Sequence, residues 1–263
     1  MSKADAIILE NVLIIKPFNV VYIGFALIFI AVFAFLAYAV RNKDDEFREK
    51  LLAFIMLGGL AIYFWYKYML SVDADYSAIT AAAGEGGFDW WKELPLHLCN
   101  INLILIPVSI FTGKRELQSF CFFLGPLGAL MAILMPCTGF EYYSVLLPRM
   151  FGYYFTHWLV VCGSLSLCSF KIYKPRFNEL KRTALTILIL SFGVFLFSMA
   201  LRLTGICANA NYFYTVEPFG NPILEMLYKI IPVPYLYILP CLLILIPYMI
   251  LVTWLLNRKE KVQ

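Results

Sequence analysis

Residues 18–40 read FNVVYIGFALIFIAVFAFLAYAV, without one charged side chain. At 1.5 Å per residue a helix of this length reaches across the roughly 30 Å of a bilayer's hydrocarbon core. The run follows Pro17, exceeds the apolar stretch of a secretory leader and has no small-residue cleavage pattern behind it, so it predicts a retained first span.

Six more apolar runs follow, giving expected spans at about 18–40, 51–70, 95–111, 119–136, 150–170, 184–203 and 235–256. The expectation is an all-α, polytopic integral membrane protein with one helical domain over 1–263 and about seven transmembrane helices. Composition agrees: 62% of residues are apolar, 14% are charged and the mean hydropathy is +0.79. Soluble domains carry about 25% charged residues, so a surface built from this chain would not stay wetted in water. The third span is short and the fourth holds Gly125 and Pro126, so both are expected to tilt or kink.

Loops 41–50, 112–118 and 171–183 and the tail after Trp254 hold 14 of the 21 Lys and Arg residues. The positive-inside rule then places the N-terminus outside and the C-terminus in the cytoplasm, as an odd number of spans requires. The long connections 71–94 and 204–234 fall outside. Phe88, Trp90 and Trp91 suit a headgroup-level aromatic belt. Residues 223–231 suit a short interfacial helix, and both connections read as a lid.

The net charge of +4 does not suggest a nucleic-acid partner. Seven cysteines show neither CxxC nor Cys/His metal spacing, so no metal is expected, and most read as small apolar filler. Cys137 and Cys207 both fall in the outer loops and could pair in an oxidising setting. Gly125-Pro-Leu-Gly128 is too short to cradle phosphate and reads as close helix packing; Gly84-Glu-Gly-Gly87 is a turn signal.

Only two histidines exist, His97 and His157, and both fall in apolar spans, where ionisable groups usually face the bundle interior. Pro95 suits the first turn of a helix, so the third span is expected to begin there and to carry His97, Cys99 and Asn102 within two turns. His157 falls about seven residues into the fifth span, roughly 10 Å deep, and Cys99 and Asn102 lie some 6–10 Å below the same face. Arg149, Glu141, Arg202, Asn209 and Asn211 fall near that side too. On a helix His97 and Cys99 would point about 200° apart, whereas Cys99 and Asn102 share a face. A nucleophilic Cys99 would therefore draw its base from another helix, and His157 is the histidine left.

Plainer roles fit the same residues. Cys99 can be a packed small side chain, and His157 can bond a neighbouring carbonyl or tyrosine. His97, Asn100 and Asn102 can be polar glue worth under about 1–2 kcal/mol each. Arg149 and Arg202 can snorkel to phosphates, and Glu141 and Glu217 read as solvated loop acids.

Three ordered blocks cover about residues 90–240: Glu93-Leu-Pro-Leu-His-Leu-Cys99; Phe123-Leu-Gly-Pro-Leu-Gly-Ala129 with Tyr154-Phe-Thr-His157; and Asn211-Tyr-Phe-Tyr214 with Ile231-Pro-Val-Pro-Tyr-Leu-Tyr237. Together they resemble the YwaF-like bacterial integral membrane proteins, related to the eukaryotic transmembrane protein 164 family. The resemblance implies a seven-helix bundle and roles for Cys99 and His157, because the eukaryotic relatives are regarded as cysteine-dependent lipid acyltransferases. Pro126 departs from the usual pattern of the glycine-rich block.

Two functions follow as expectations for a multi-pass protein of the cell membrane. In the first, Cys99 and His157 transfer acyl groups on a membrane lipid without a cofactor, and His97, Asn102, Arg202, Asn209 and Asn211 bind substrate or the oxyanion. In the second, the same polar groups line the cavity of a transporter or binding protein that performs no covalent chemistry; seven spans without inverted halves fit the usual transporter plan poorly.

Overall fold

Side-chain caps set four of the helix starts. In the computed structural model, which describes residues 13–83, 87–140 and 142–258, Asn19 accepts a hydrogen bond from the Tyr22 amide and opens α1 (Val20–Ala39). Asp44 does the same through the Phe47 amide for α2 (Asp45–Ser71), whose first turn carries Asp45 and Glu46 against the helix dipole. Asp73 opens α3 (Ala74–Ala82). Then come α4 (Asn102–Thr112), closed by Gly113 in the left-handed conformation, and α5 (Arg115–Leu134), which continues through Pro126. Pro148 occupies the first position of α6 (Pro148–Ser169). The chain ends in α7 (Leu180–Leu203), α8 (Pro222–Ile230) and α9 (Leu242–Arg258), the last preceded by a 3₁₀ turn over Leu236–Cys241.

Among the described residues, five helical stretches are long and apolar enough to cross a bilayer: Val20–Ala39, Asp45–Ser71, Arg115–Leu134, Phe177–Leu203 and Leu236–Arg258. The other two expected spans take different forms. α6 has the length, with 22 residues, but lies almost wholly inside the bundle and carries Thr156, His157, Ser164 and Ser166. α4 has 11 residues, about 16 Å, roughly half the hydrocarbon thickness. The expected helix over 95–111 is thus corrected: Pro95 through Ile101 form consecutive turns, and the helix starts at Asn102.

In lipid, helices associate through close packing rather than through an apolar driving force, so small residues decide which backbones approach. Gly152 faces Tyr66, Gly59 faces Leu159 and Gly163 faces Met56, so α2 and α6 run antiparallel. Gly125 faces Ser164, and the Tyr153 hydroxyl donates to the Ala132 carbonyl at 2.7 Å, so α5 and α6 also run antiparallel. Asn102 lies against Gly125 while Gln118 donates to the Ser109 carbonyl, which makes α4 antiparallel to α5. The C-terminal ends of α2 and α5 and the N-terminal ends of α4 and α6 therefore meet at one end of the bundle. α1 packs on α6, and α7 packs on α5, where Ser119 and Thr183 hydroxyls lie 2.6 Å apart. At the converging end, residues 13–15 pair antiparallel with residues 142–145.

Candidate active site

Residues 93–101 contain few local hydrogen bonds: the Leu96 amide to the Leu94 carbonyl, and the Asn100 and Ile101 amides to the His97 carbonyl. Tertiary contacts place the segment. Its far end rests on α5, where Gly128 has no side chain: a Cβ there would lie 2.9 Å from Leu98 and 3.2 Å from the Cys99 nitrogen. Asn102 donates to the Leu98 carbonyl at 2.7 Å and closes the turn from below. Because the segment is not helical, the opposition of His97 and Cys99 expected from helical angles does not apply.

The register between α5 and α6 fixes depth. Gly128 lies between Gly125, which faces Ser164, and Ala132, which takes the Tyr153 bond. The part of α6 between those contacts contains His157. Cys99, packed on Gly128, therefore lies in the same layer as His157. Tyr153 adjoins both: its ring centroid is 4.3 Å from that of His157, and it is within electrostatic reach of Cys99. Cys99 is half-buried.

His157 is 2% exposed, and its Nδ1 lies 2.7 Å from the Tyr153 carbonyl oxygen. A carbonyl only accepts, so Nδ1 carries the hydrogen and the neutral ring keeps its lone pair on Nε2. The ring is thus held in the tautomer a proton acceptor needs. His97 sits beneath the long connection between α7 and α8, 5.3 Å from the Tyr212 ring centroid and 6.0 Å from that of Tyr214. Lys67 and His97 are both within electrostatic reach of His157.

Arg202, Asn209 and Asn211 lie in or under that loop. Arg202 donates from Nε to the Ala210 carbonyl at 2.6 Å and pairs with Glu217, so Glu217 is a partner rather than a free loop acid. Asn211 accepts from the Val216 and Glu217 amides and donates to the Glu217 carbonyl. Asn209 is exposed. These contacts shape the loop that carries Tyr212 and Tyr214 over His97. Cys137 and Cys207 are not joined by a disulfide. Cys137 lies within electrostatic reach of Tyr214 and Cys99, whereas Cys207 is buried within electrostatic reach of Asp89. Burial, and next the Asp89 carboxylate, hold the Cys207 thiol above its ordinary value.

Arg149 does not snorkel: it is 3% exposed, bonded to Asp73 at 2.7 Å and stacked over Tyr143. Glu141, Lys259 and Lys261, like positions 84–86, lie outside the described residues.

Lys67 was not singled out from the sequence. It is 5% exposed on α2, pairs with Glu93 and lies within reach of Cys99, His97 and His157. Its signal was available in Tyr63-Phe-Trp-Tyr-Lys-Tyr-Met-Leu70, a cation inside an apolar run, which in a membrane points to function by default. Asn100 Oδ1, Asn102 Oδ1, Ser164 Oγ and the Tyr212 hydroxyl are among the buried oxygens of the described residues that lack partners. No group of three or more His, Cys, Asp or Glu side chains that could hold a metal occurs among the described residues.

No curated protein and no solved structure matches this sequence. A family model does, over residues 14–253, a range that includes all three sequence blocks and both members of the Cys–His layer: the chain belongs to the TMEM164 family.

Proposed function

We propose that the protein is an intramembrane lipid acyltransferase whose nucleophile is Cys99 and whose base is His157. The observation that carries this reading is their shared layer, set by the Gly128 contact and the α5–α6 register. His157 Nε2 takes the thiol proton as sulfur attacks the carbonyl carbon of a lipid ester. The second Asn102 amide hydrogen and the N–H groups at Cys99 supply donors for the oxyanion. Collapse breaks the ester C–O bond; the imidazolium protonates the departing alkoxide, leaving a Cys99 thioester and a lysolipid. An acceptor hydroxyl reverses the steps. In this reading Arg202, Asn209 and Asn211 act indirectly, by shaping the loop over the site.

The orphaned Asn100, Asn102 and Ser164 oxygens favour a second reading, a polar ligand held without covalent chemistry, because buried polar groups normally find a partner. One experiment separates the two. Protein in liposomes containing a phospholipid with a labelled acyl chain should release lysolipid and transfer the label, and Cys99→Ser should abolish both. Full lipid-modifying activity in Cys99→Ser would overturn the cysteine reading.

We further read the chain as a YwaF-like bacterial member of the family, on its ordered motif blocks, and as a seven-span protein of the cell membrane. In that topology α4 and the segment before it together form the third crossing, the N-terminus is outside and the C-terminus cytoplasmic. The placement of the basic loops supports that orientation.

A further inference from the structure

We propose that the Lys67–Glu93 ion pair is a positioning element: it ties the segment carrying His97 and Cys99 to α2 and thereby sets the thiol in the His157 layer. The proposal rests on the Cys99–His157 reading for its catalytic consequence.

Two ties from adjacent turns of one helix meet at one residue. The Lys67 ammonium pairs with the Glu93 carboxylate, and the Tyr63 hydroxyl donates to the Glu93 backbone carbonyl at 2.7 Å. Lys67 also lies over the rings of Tyr66 and Tyr63, at 4.7 and 5.3 Å from their centroids. Glu93 is thus held by side chain and backbone four residues before His97 and six before Cys99. The segment beyond it has only three local backbone bonds until its contacts with Gly128 and Asn102. A turn-rich stretch so weakly bonded to itself takes its position from its two ends, and the ion pair is the near end.

Stability alone is a poor reason for such a pair. Desolvating two charges offsets most of their attraction, so apolar residues of similar size would often serve as well or better. An apolar contact at Lys67 would fill the same space but would not select a single placement for Glu93. The directional bond, reinforced by Tyr63, does.

Full-length protein is compared as wild type, Lys67→Met, Lys67→Arg, Glu93→Gln and the charge exchange Lys67→Glu with Glu93→Lys. Backbone hydrogen exchange over residues 93–101 reads the tether, and acylation of Cys99 by a lipid ester probe reads its consequence. Lys67→Met is expected to speed exchange in 93–101 at least about tenfold, to leave α6 protected, and to slow acylation by a similar factor. Lys67→Arg and the charge exchange should each restore both readouts to within about threefold of wild type, which a purely space-filling role would not produce. If Lys67→Met also exposes α6, Glu93→Gln, which keeps the side-chain shape, decides. Unchanged exchange and acylation in the deciding variant would overturn the proposal, as would failure of both charge-retaining variants to restore them. If wild-type Cys99 is not acylated while exchange in 93–101 responds as expected, the tether stands and the acyl-transfer reading falls.

Discussion

A thiol attacks as a thiolate, and inside a bilayer its proton can go only to a neighbouring base. The proposed site gives Cys99 that neighbour in His157, whose tautomer is held by the Tyr153 carbonyl. Cys207 is its counterexample. Burial and the Asp89 carboxylate raise its pKa, so little thiolate exists at neutral pH. Cys207 should therefore alkylate slowly at pH 7 and faster as pH rises above the ordinary thiol range; a flat pH profile measured by mass spectrometry would contradict that placement. At this scale the sequence showed the rare ionisable groups in apolar runs, which is why His97, Cys99 and His157 could be named. It did not show pairing. Arg149 read as a snorkelling cation, yet it is buried on Asp73, 76 positions away in sequence. Removing the carboxylate with Asp73→Asn should cost about 3 kcal/mol, because it strands a buried guanidinium, and thermal unfolding in detergent would show it. A Tm within experimental scatter of wild type would contradict a buried pair.

Helix contacts here depend on missing side chains. A Cβ at Gly152 would sit 2.2 Å from the Tyr66 Cβ, whereas one at Gly193, on α7, meets nothing within 4 Å. Gly152→Ala should destabilise the protein by roughly 1–3 kcal/mol through overpacking. Gly193→Ala should be neutral or stabilising by up to about 1 kcal/mol, from helix propensity. Unfolding midpoints of the two variants check the contrast, and equal shifts would contradict the α2–α6 packing. Five of the expected spans meet helical stretches long and apolar enough to cross a bilayer, because runs of about 20 apolar residues leave little else in a membrane; α4 is too short and α6 too polar to join them. The third was misread at its start. Pro95 is compatible with a first helical turn, but it equally suits a turn-rich segment, and nothing local distinguishes the two. What decides is distant: Lys67, Tyr63 and Gly128 hold residues 93–101 in a non-helical path. The short helix α8, by contrast, lies within a residue at each end of the short helix expected over 223–231.

For the whole molecule, the antiparallel register of α2, α4, α5 and α6 gathers the polar groups at one end, which the proposed orientation puts at the outer face. In intact cells a membrane-impermeant maleimide should label Lys229→Cys and spare Lys174→Cys; the reverse pattern would invert the topology. The central claim is that this outer-end layer makes one cysteine of the seven reactive toward lipid esters. The most direct measurement is mass-spectrometric mapping of the adduct left by a lipid-like electrophilic ester on the intact protein in membranes. The adduct is expected on Cys99 ahead of the other six, and its formation should fall at least about a hundredfold in His157→Gln, the usual scale for loss of a general base. Preferential modification of Cys137 or Cys207, with Cys99 modified no faster than the buried Cys121 and indifferent to His157, would contradict it.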